Sequence, residues 1–411
     1  MVPNGWEVKK FGDLFNVKSG FGFKHSEYAD SGTPLIKIDN VSHGYVKWNN
    51  VSYLPDSYRE DYSDILLKEG DLLLALNRPI TQGKLKLVKL TKSDVPSILY
   101  QRVGRIDFKT NDLEKDFYLY LLDTAIYRFV SHKAIGSDQP FISTTELKKL
   151  NIVKPPLPEQ RKISKILSTW DKAISTTERL IDNSTQQKKA LMQQLLTGAH
   201  TQRKRLLDDS GKPFEGEWEE KRLSELGDIY SGGTPSTAKP EYWDGDINWV
   251  TPTDITKQDS IYIESTARLV SMDGIKNSSA KLLPKGTLLV CTRATIGEMA
   301  IASHEMSTNQ GFKNIVPNEN TNIEFVYYLL NFYKHKLISK ASGSTFLELS
   351  KSAFEGLYFY VPEYQEQKKI AAVLLNADRE IDALQQQLAD LKQEKKALMQ
   401  QLLTGKKRVL I

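Results

Sequence analysis

The chain has 411 residues, enough for two to four domains at roughly 100–200 residues each. Apolar residues make up 40% and charged residues 26%, with 24 Gly and 16 Pro, which excludes disordered, collagen-like and disulfide-rich classes. The 56 Lys and Arg against 51 Asp and Glu leave a net charge of +5, which permits a nucleic-acid partner without requiring one. Apolar runs such as LLLAL at 72–76 fall far short of the ~20 residues that a membrane-spanning helix needs, so no membrane partner is expected. The opening MVPNGWEVKK has no apolar secretory segment, and Cys291 alone cannot form an internal disulfide. A cytoplasmic protein is expected.

Taken in chain order, residues 1–155 form a first globular unit. TPLIKIDNV at 33–41, DILLKEGDLLLAL at 64–76 and KLKLVKL at 84–90 have strand character, and DFYLYLLDTAIYRFVSHKA is an amphipathic helix. Residues 156–199 form a long helix, and 200–216 a linker. A second globular unit spans 217–361. Its strand-like segments are INWVTPTDI at 247–255, GTLLVCT at 286–292 and KNIVP at 313–317, followed by the amphipathic EFVYYLLNFYKHKLISKA. A second long helix covers 362–405, and 406–411 is a basic tail. The expected class is α+β, with two related globular units and two long helices.

The chain repeats itself. KKALMQQLLTG occurs at 188–198 and again at 395–405. Extended backward at a constant offset of 207, the two 42-residue windows are identical at 19 positions. The globular units correspond more weakly. Trp6-Glu7 matches Trp218-Glu219, LLKEGDLLL at 66–74 resembles LLPKGTLLV at 282–290, and Gly136-Ser137 matches Gly343-Ser344. Similar helices argue for one shared task, and divergent globular units for two different ligands of one kind.

The helices carry alternating three- and four-residue spacings of the coiled-coil type. In the first, the seam is Ile163, Leu167, Trp170, Ile174, Thr177, Ile181, Ser184, Lys188, Leu191 and Leu195. In the second it is Ile370, Leu374, Ala377, Ile381, Leu384, Leu388, Leu391, Lys395, Leu398 and Leu402. Pro158 and Pro362 mark helix starts, Gly198 and Gly405 helix ends. At 1.5 Å per residue each helix is ~60 Å long. Pairing of the two within one chain is expected to be antiparallel, with homodimerisation through the same seams as the alternative. The polar seam residues Thr177, Ser184, Lys188 and Lys395 either fix the register or face water where the helices splay. A rigid spacer of this length suits two sites on DNA, whose helical repeat is ~34 Å.

No catalytic machinery is apparent. The P-loop and a strand-linked dinucleotide glycine motif are absent, since GFGF at 20–23 lacks the third glycine. The six histidines lack metal-ligand spacing, and no metal is expected. Cys291 lies in an apolar strand-like run and reads as core. What remains is polar chemistry suited to base edges and phosphates. In the first unit the candidates are Lys37, Asn40, Asn77, Arg78, Gln82, Lys84, Gln101, Arg102 and Gln139. In the second they are Thr251, Thr253, Asp254, Arg293, Thr295, Asn309, Gln310 and Lys313.

PLPEQRKI at 156–163 and KKALMQQLLTG after each of two dissimilar units resemble the specificity subunit of type I restriction–modification systems. The resemblance covers the whole chain and includes YSGGTPSTAKPEYWDGDINWVTPTDI and TNQGFKNIVP in the second unit. The second helix departs from the pattern, with its proline displaced to Pro362 before Gln365-Glu366-Gln367. The resemblance implies that each globular unit is a target-recognition domain reading one half of a bipartite double-stranded DNA site. It implies an antiparallel coiled coil that sets the gap and docks two modification subunits. Those subunits methylate adenine with S-adenosylmethionine, and added restriction subunits use ATP and Mg²⁺ to translocate and cleave. This chain would then bind no cofactor and catalyse nothing. A type IIB-like or fused system is the alternative within DNA recognition. A coiled-coil scaffold whose globular units bind proteins is the alternative outside it.

Overall fold

The computed structural model describes residues 2–133, 141–197, 205–343 and 347–410. The chain divides into two compact units, one of Met1–Thr177 with Gln387–Ile411 and one of Glu178–Gln386. The divisions fall inside the long helices, Leu157–Leu196 and Tyr364–Leu402, so each unit contains a segment of both.

The first unit is built on two small sheets. One has the order β4-β3-β10-β5 and joins Ser52–Leu54, Thr33–Ile36, Ser97–Leu99 and Leu66–Leu67. The other, β2-β11-β6-β9, joins Phe15–Ser19, Val103–Phe108, Leu72–Ala75 and Leu87–Lys89. Strand β6 reads Leu-Leu-Leu-Ala and is buried throughout. Its alternate side chains serve two cores: Leu72 and Leu74 face one cluster, Leu73 and Ala75 the other. The segments expected to be continuous strands are shorter than their apolar patterns. DILLKEGDLLLAL is cut at Lys68–Asp71, where Gly70 has φ 82° and the Lys68 amide donates to Asp71 Oδ2 at 2.9 Å. KLKLVKL is split at Lys86, whose amide leaves the ladder to donate to the Pro79 carbonyl at 2.7 Å. The helix Lys115–Lys133 covers the first core.

The second unit repeats the central frame. Its main sheet has the order β14-β21-β18-β19-β16, with β14 Gly227–Ser231, β21 Phe312–Pro317, β18 Leu288–Cys291, β19 Met299–Ala302 and β16 Tyr262–Ile263. Strand β18 again feeds two cores, Leu288 and Val290 on one side, Leu289 and Cys291 on the other. Cys291 is a core residue, and burial pushes its thiol up to about 12. INWVTPTDI is a strand only as far as Val250, and the helix Pro252–Thr256 follows. EFVYYLLNFYKHKLISKA breaks at Tyr333 into Ile323–Phe332 and Lys334–Ser339.

The proline signal holds at the first long helix, Leu157–Leu196, which has Pro158 in its first turn, and differs at the second. The second long helix starts at Tyr364, so Pro362 lies outside it, and its carbonyl accepts from Gln367 Nε2 at 2.9 Å. Gly405 does take the left-handed conformation, φ 70°, but three residues beyond the last helical one. Gly198 lies outside the described residues.

The Glu-Gln pair opening each long helix is a staple. Gln160 is fully buried and donates to the carbonyls of Pro155 (2.7 Å) and Asp112 (3.1 Å), while accepting from the Glu114 amide at 2.8 Å. In the second unit Gln367 bonds Pro362, Asn320 (3.2 Å) and the Asn322 amide (2.9 Å) in the same pattern. Glu159 is 1% exposed and accepts from Trp6 Nε1 at 3.0 Å and from both arms of Arg408. Glu366 is 2% exposed and is gripped the same way by Arg205. Arg205 and Arg408 belong to the basic runs after each helix, and there they are structural.

Inside each unit the helix segments touch. In the first, Ile163, Leu167, Leu402 and Leu403 share one core, with Leu398 packed against it. In the second, Leu195, Leu196, Ile370 and Leu374 share another, with Leu191 packed against it. Trp170, Ile174, Ile181, Leu384, Leu388 and Leu391 are half-buried, and no predicted seam residue is exposed.

The four polar seam residues have partners. Lys395 pairs with Asp171, which also accepts from Tyr120 Oη at 2.5 Å, and Lys188 pairs with Asp378, which accepts from Tyr328 Oη at 2.6 Å. Each ammonium also lies over its tyrosine ring, at 5.0 and 5.5 Å. Ser184 bonds Glu380 at 3.2 Å, and Thr177 bonds the Ala173 carbonyl at 3.0 Å.

The Glu159 site generates a stability prediction. Burial pushes this carboxyl up, but the bonds from Arg408 and Trp6 outweigh it and hold it below the usual carboxylate range. Its contribution is therefore present above that range and is lost as pH falls through the lowered value. Arg408→Ala should lower the urea midpoint at pH 7, since it strips a buried carboxylate of its main donor. The gap to the parent should close in acid. An unchanged urea midpoint at pH 7 would contradict the buried role.

Candidate nucleic-acid interface

In the first unit, two loops bring four of the candidate residues together. Asn77-Arg78 follow strand β6, and Gln101-Arg102 join β10 to β11. The Leu76 amide donates to the Arg102 carbonyl at 2.9 Å, tying the loops side by side. Asn77, Arg78 and Arg102 line an open depression of about 370 Å³ with Ile38, Asp39, Lys86 and Phe141. Arg78 and Arg102 both have left-handed backbone, φ 45° and 68°. That conformation costs a non-glycine residue ~1 kcal/mol or more, so glycine would be the relaxed choice at either turn. The guanidinium groups are retained at that cost, which points to their use.

Gln82 also has positive φ, 52°, but hairpin geometry accounts for it. Gln82-Gly83 form the tip between β7, Ile80–Thr81, and β8, Lys84–Leu85, where such turns match strand twist. Lys84 projects from this hairpin, exposed. Around it lie Lys47, Lys86 and His43. Burial lowers the Lys86 amine, Asp39 opposes, and Lys47 and Arg78 lower it further. Burial also lowers His43, reinforced by Lys84, Lys47 and Lys86, so the charged imidazolium is disfavoured there. It makes a 3.1 Å hydrogen bond with Thr81 Oγ1. Lys47, Arg78, Lys84, Lys86 and Arg102 thus form a cationic surface, with Asp39 beside Lys86. Among the described residues none of the five has an ion-pair partner.

Two further candidates of this unit are differently employed. Asn40 is 2% exposed. Its side chain accepts from the Lys37 amide at 2.9 Å and donates to the Lys47 carbonyl at 2.8 Å, closing a loop and leaving little for a base edge. Lys37 is half-buried and donates to Ser52 Oγ at 2.8 Å. Gln139 lies outside the described residues.

The second unit uses the same scaffold positions. The Thr292 amide donates to the Gly311 carbonyl at 2.8 Å, the counterpart of Leu76 and Arg102. Arg293-Ala294 therefore stand where Asn77-Arg78 stand in the first unit, and Gln310-Gly311 where Gln101-Arg102 stand. Ala294 has φ 63°, so the left-handed turn is kept while its side chain is not. Arg293 is exposed and 4.0 Å from Glu348. Gln310 accepts from Thr234. The Asn309 amide bonds the Val250 carbonyl at 3.0 Å, placing it beside Thr251. Thr295 lies half-buried in the Arg293–Gly297 turn.

Three candidates here do structural work. Asp254 is buried and caps its own helix, accepting from the Thr251 amide at 2.8 Å and the Ala267 amide at 3.0 Å. Lys313 is 6% exposed in strand β21, and burial lowers its amine. Asn309 Oδ1 accepts from the Gly311 amide at 2.9 Å, shaping the loop that carries Gln310. Thr253 is exposed on the short helix.

Sequence reasoning missed Lys86, because a lysine inside an alternating strand pattern reads as a solvated face, and it missed Lys47 and His43, which belong to no motif. It also missed Arg268, whose guanidinium stacks 3.7 Å from the Trp243 ring centre and 5.3 Å from that of Trp249. That stack is tertiary and leaves no trace in spacing. Among the described residues no group of His, Cys, Asp or Glu is arranged to hold a metal ion, and no helix is long and apolar enough to cross a membrane.

The family described as the type I restriction modification DNA specificity domain matches this chain twice, at residues 3–183 and 215–393. The chain belongs to this family. The MjaVIII specificity subunit of Methanocaldococcus jannaschii, a type I restriction enzyme component, is 41% identical over 198 residues, 48% of this chain and 47% of that one. A second chain from that organism, the MjaIX specificity subunit, is 40% identical over 163 residues, 37% of its own length. The matches to these two relatives thus span half of their length or less. A third, assigned provisionally as the MjaX specificity subunit, is 27% identical over 99% of this chain and 95% of its own. The crystal structure of a type I restriction–modification S subunit from M. genitalium has the same fold, with a TM-score of 0.58 at 16% identity over 98% of this chain and 97% of that one. A chain from a structure of a type I R-M system superposes at 0.60 with 18% identity, covering 98% of both.

The cationic surface yields a prediction for the full chain. Replacing Lys84 and Lys86 together by Ala should weaken binding to all duplexes alike. The slope of log affinity against log salt should flatten by about 0.9 for each phosphate that the variant no longer neutralises. Fluorescence anisotropy across a salt series measures this, and an unchanged slope would remove these lysines from the interface.

Proposed function

We propose that this chain is the non-catalytic DNA specificity subunit of a type I restriction–modification complex, each unit reading one half of a bipartite duplex site. The observation that carries this reading is the shared frame with exchanged side chains. Two copies of the family's domain present the same pair of loops, and the residues on them differ: Asn77, Arg78, Gln101 and Arg102 in one, Arg293, Ala294, Gln310 and Gly311 in the other. A conserved backbone with changed donors and acceptors is what two different base sequences demand.

In this reading the long helices pair as an antiparallel coiled coil and set the gap between half-sites. The two lysine–aspartate pairs support it, because they obey a single antiparallel register. Residue numbers of partners sum to 566 in both, for Asp171 with Lys395 and for Lys188 with Asp378. The helices also dock two modification subunits, which bind S-adenosylmethionine and methylate adenine. Restriction subunits carry the ATP- and Mg²⁺-dependent translocation and cleavage. The complex acts on DNA in the cytoplasm.

The test is a single-base methylome of the source cell with and without this gene. The proposal predicts loss of methylated adenine from one bipartite motif with a fixed gap. A methylome unchanged in cells that express this chain together with its modification subunits would contradict it.

A further inference from the structure

The candidate interface leaves one conspicuous group unexplained. Phe21 is 50% exposed, at the tip of the Gly-Phe-Gly-Phe turn of residues 20–23, next to Gln101. The turn is locked to the recognition loop. The Phe21 amide donates to the Leu99 carbonyl at 3.3 Å, and the Gln101 amide donates to the Phe21 carbonyl at 3.0 Å. Gly20 is required by close approach to backbone, whereas Gly22 faces the movable end of the Gln101 side chain. A Cβ on Gly20 would lie 2.1 Å from the Leu99 carbonyl oxygen, and one on Gly22 would lie 2.8 Å from Gln101 Oε1. The Gln101 side chain therefore lies across Gly22, with its amide donating to Tyr100 Oη at 3.3 Å.

The ring of Phe21 is held from below. It contacts Phe23 at 5.2 Å and Tyr62 at 5.5 Å between ring centres, and Phe23 is in turn braced by Tyr62 at 4.9 Å. An exposed phenylalanine is ordinary by itself. One seated on a braced pair of aromatic rings, with its carbonyl bonded to the amide of Gln101, is positioned for a ligand.

We propose that Phe21 is a base-reading residue that packs against the 5-methyl group of a thymine in the half-site read by the first unit, beside the base contacted by Gln101. The inference rests on the reading of this unit as a DNA-binding domain and names what one of its groups recognises. The thymine methyl is the apolar feature of the major-groove edge, and an apolar ring among polar readers matches it. Insertion between base pairs fits less well. A wedge needs both ring faces free, and here Phe23 and Tyr62 occupy one side.

The experiment uses the full chain with the subunits that purify with it. Binding sites are first selected from a randomised duplex pool. The selected duplex is then resynthesised with deoxyuridine in place of each thymine in turn, which removes only the methyl group. At one thymine of the first half-site, uracil should weaken binding by the parent protein about fourfold, the effect of one buried methyl. Phe21→Ala should weaken binding to the thymine duplex by a similar factor and abolish the thymine–uracil difference there and nowhere else. Phe21→Leu, which keeps an apolar surface, should retain part of it. Indifference of the parent to uracil throughout that half-site would overturn the proposal even if Phe21→Ala fails to fold. So would a uracil effect that survives in Phe21→Ala. Failure of the pool to enrich any sequence would instead overturn the DNA-binding reading itself, and this proposal with it.

Discussion

A buried carboxylate is costly unless charged donors reach it, and this chain places one at the start of each long helix. Glu159 and Glu366 are almost completely removed from solvent. Neither finds its arginine nearby in sequence. Arg408 lies 249 residues from Glu159, and Arg205 lies 161 residues from Glu366. The first unit is therefore incomplete without the end of the chain, which supplies Arg408, Leu402 and Leu403 to it. Removing either partner leaves an uncompensated group, so these bonds dictate that segments remote in sequence fold together. The neighbouring glutamines then fix where each helix departs, by bonding backbone groups that precede the unit's own amphipathic helix.

The same logic repeats along the seam. Lysines at coiled-coil core positions weaken an apolar seam unless something receives them. Here each is received by an aspartate of the other helix and a tyrosine of the globular part. Burial raises both tyrosine hydroxyls, with the aspartate bond adding to it, so Tyr120 and Tyr328 remain protonated donors throughout the physiological range. The triads connect the helix register to the unit that surrounds them. A tyrosine that reads as simple core in the sequence thus does two jobs, packing its ring and orienting a carboxylate.

Much of the architecture was legible in the sequence because repetition and periodicity are local signals. The eleven-residue identity marked the helices, and the three–four spacing marked the residues that turn away from water. Strand extents were less legible. Apolar runs such as 64–76 and 84–90 hide turns, and only the Asp71 and Lys86 bonds show where the ladder breaks. The interface was legible in part. Exposed Arg78, Arg102, Gln101 and Arg293 were visible as polar residues in loops. Asn40, Asp254 and Lys313 carry the same chemistry but spend it on folding, and residue type alone does not separate the two uses. Arg205 and Arg408 illustrate the converse, since the linker at 200–216 and the basic tail at 406–411 deliver the arginines of the two buried ion pairs.

The two units share a backbone frame that holds a pair of loops, and they differ in what those loops present. That combination gives modular recognition a physical basis, because side chains at Arg78 or Ala294 can change without altering the β6 or β18 core beneath them. The most direct measurement is an exchange of residues 1–150 for the corresponding segment of another family member, leaving Glu159 and Gln160 in place, followed by sequencing of methylated adenines in cells expressing the hybrid with its modification subunits. The account predicts a motif in which one half is replaced and the other half is retained. A hybrid that folds and methylates with both halves altered would contradict it.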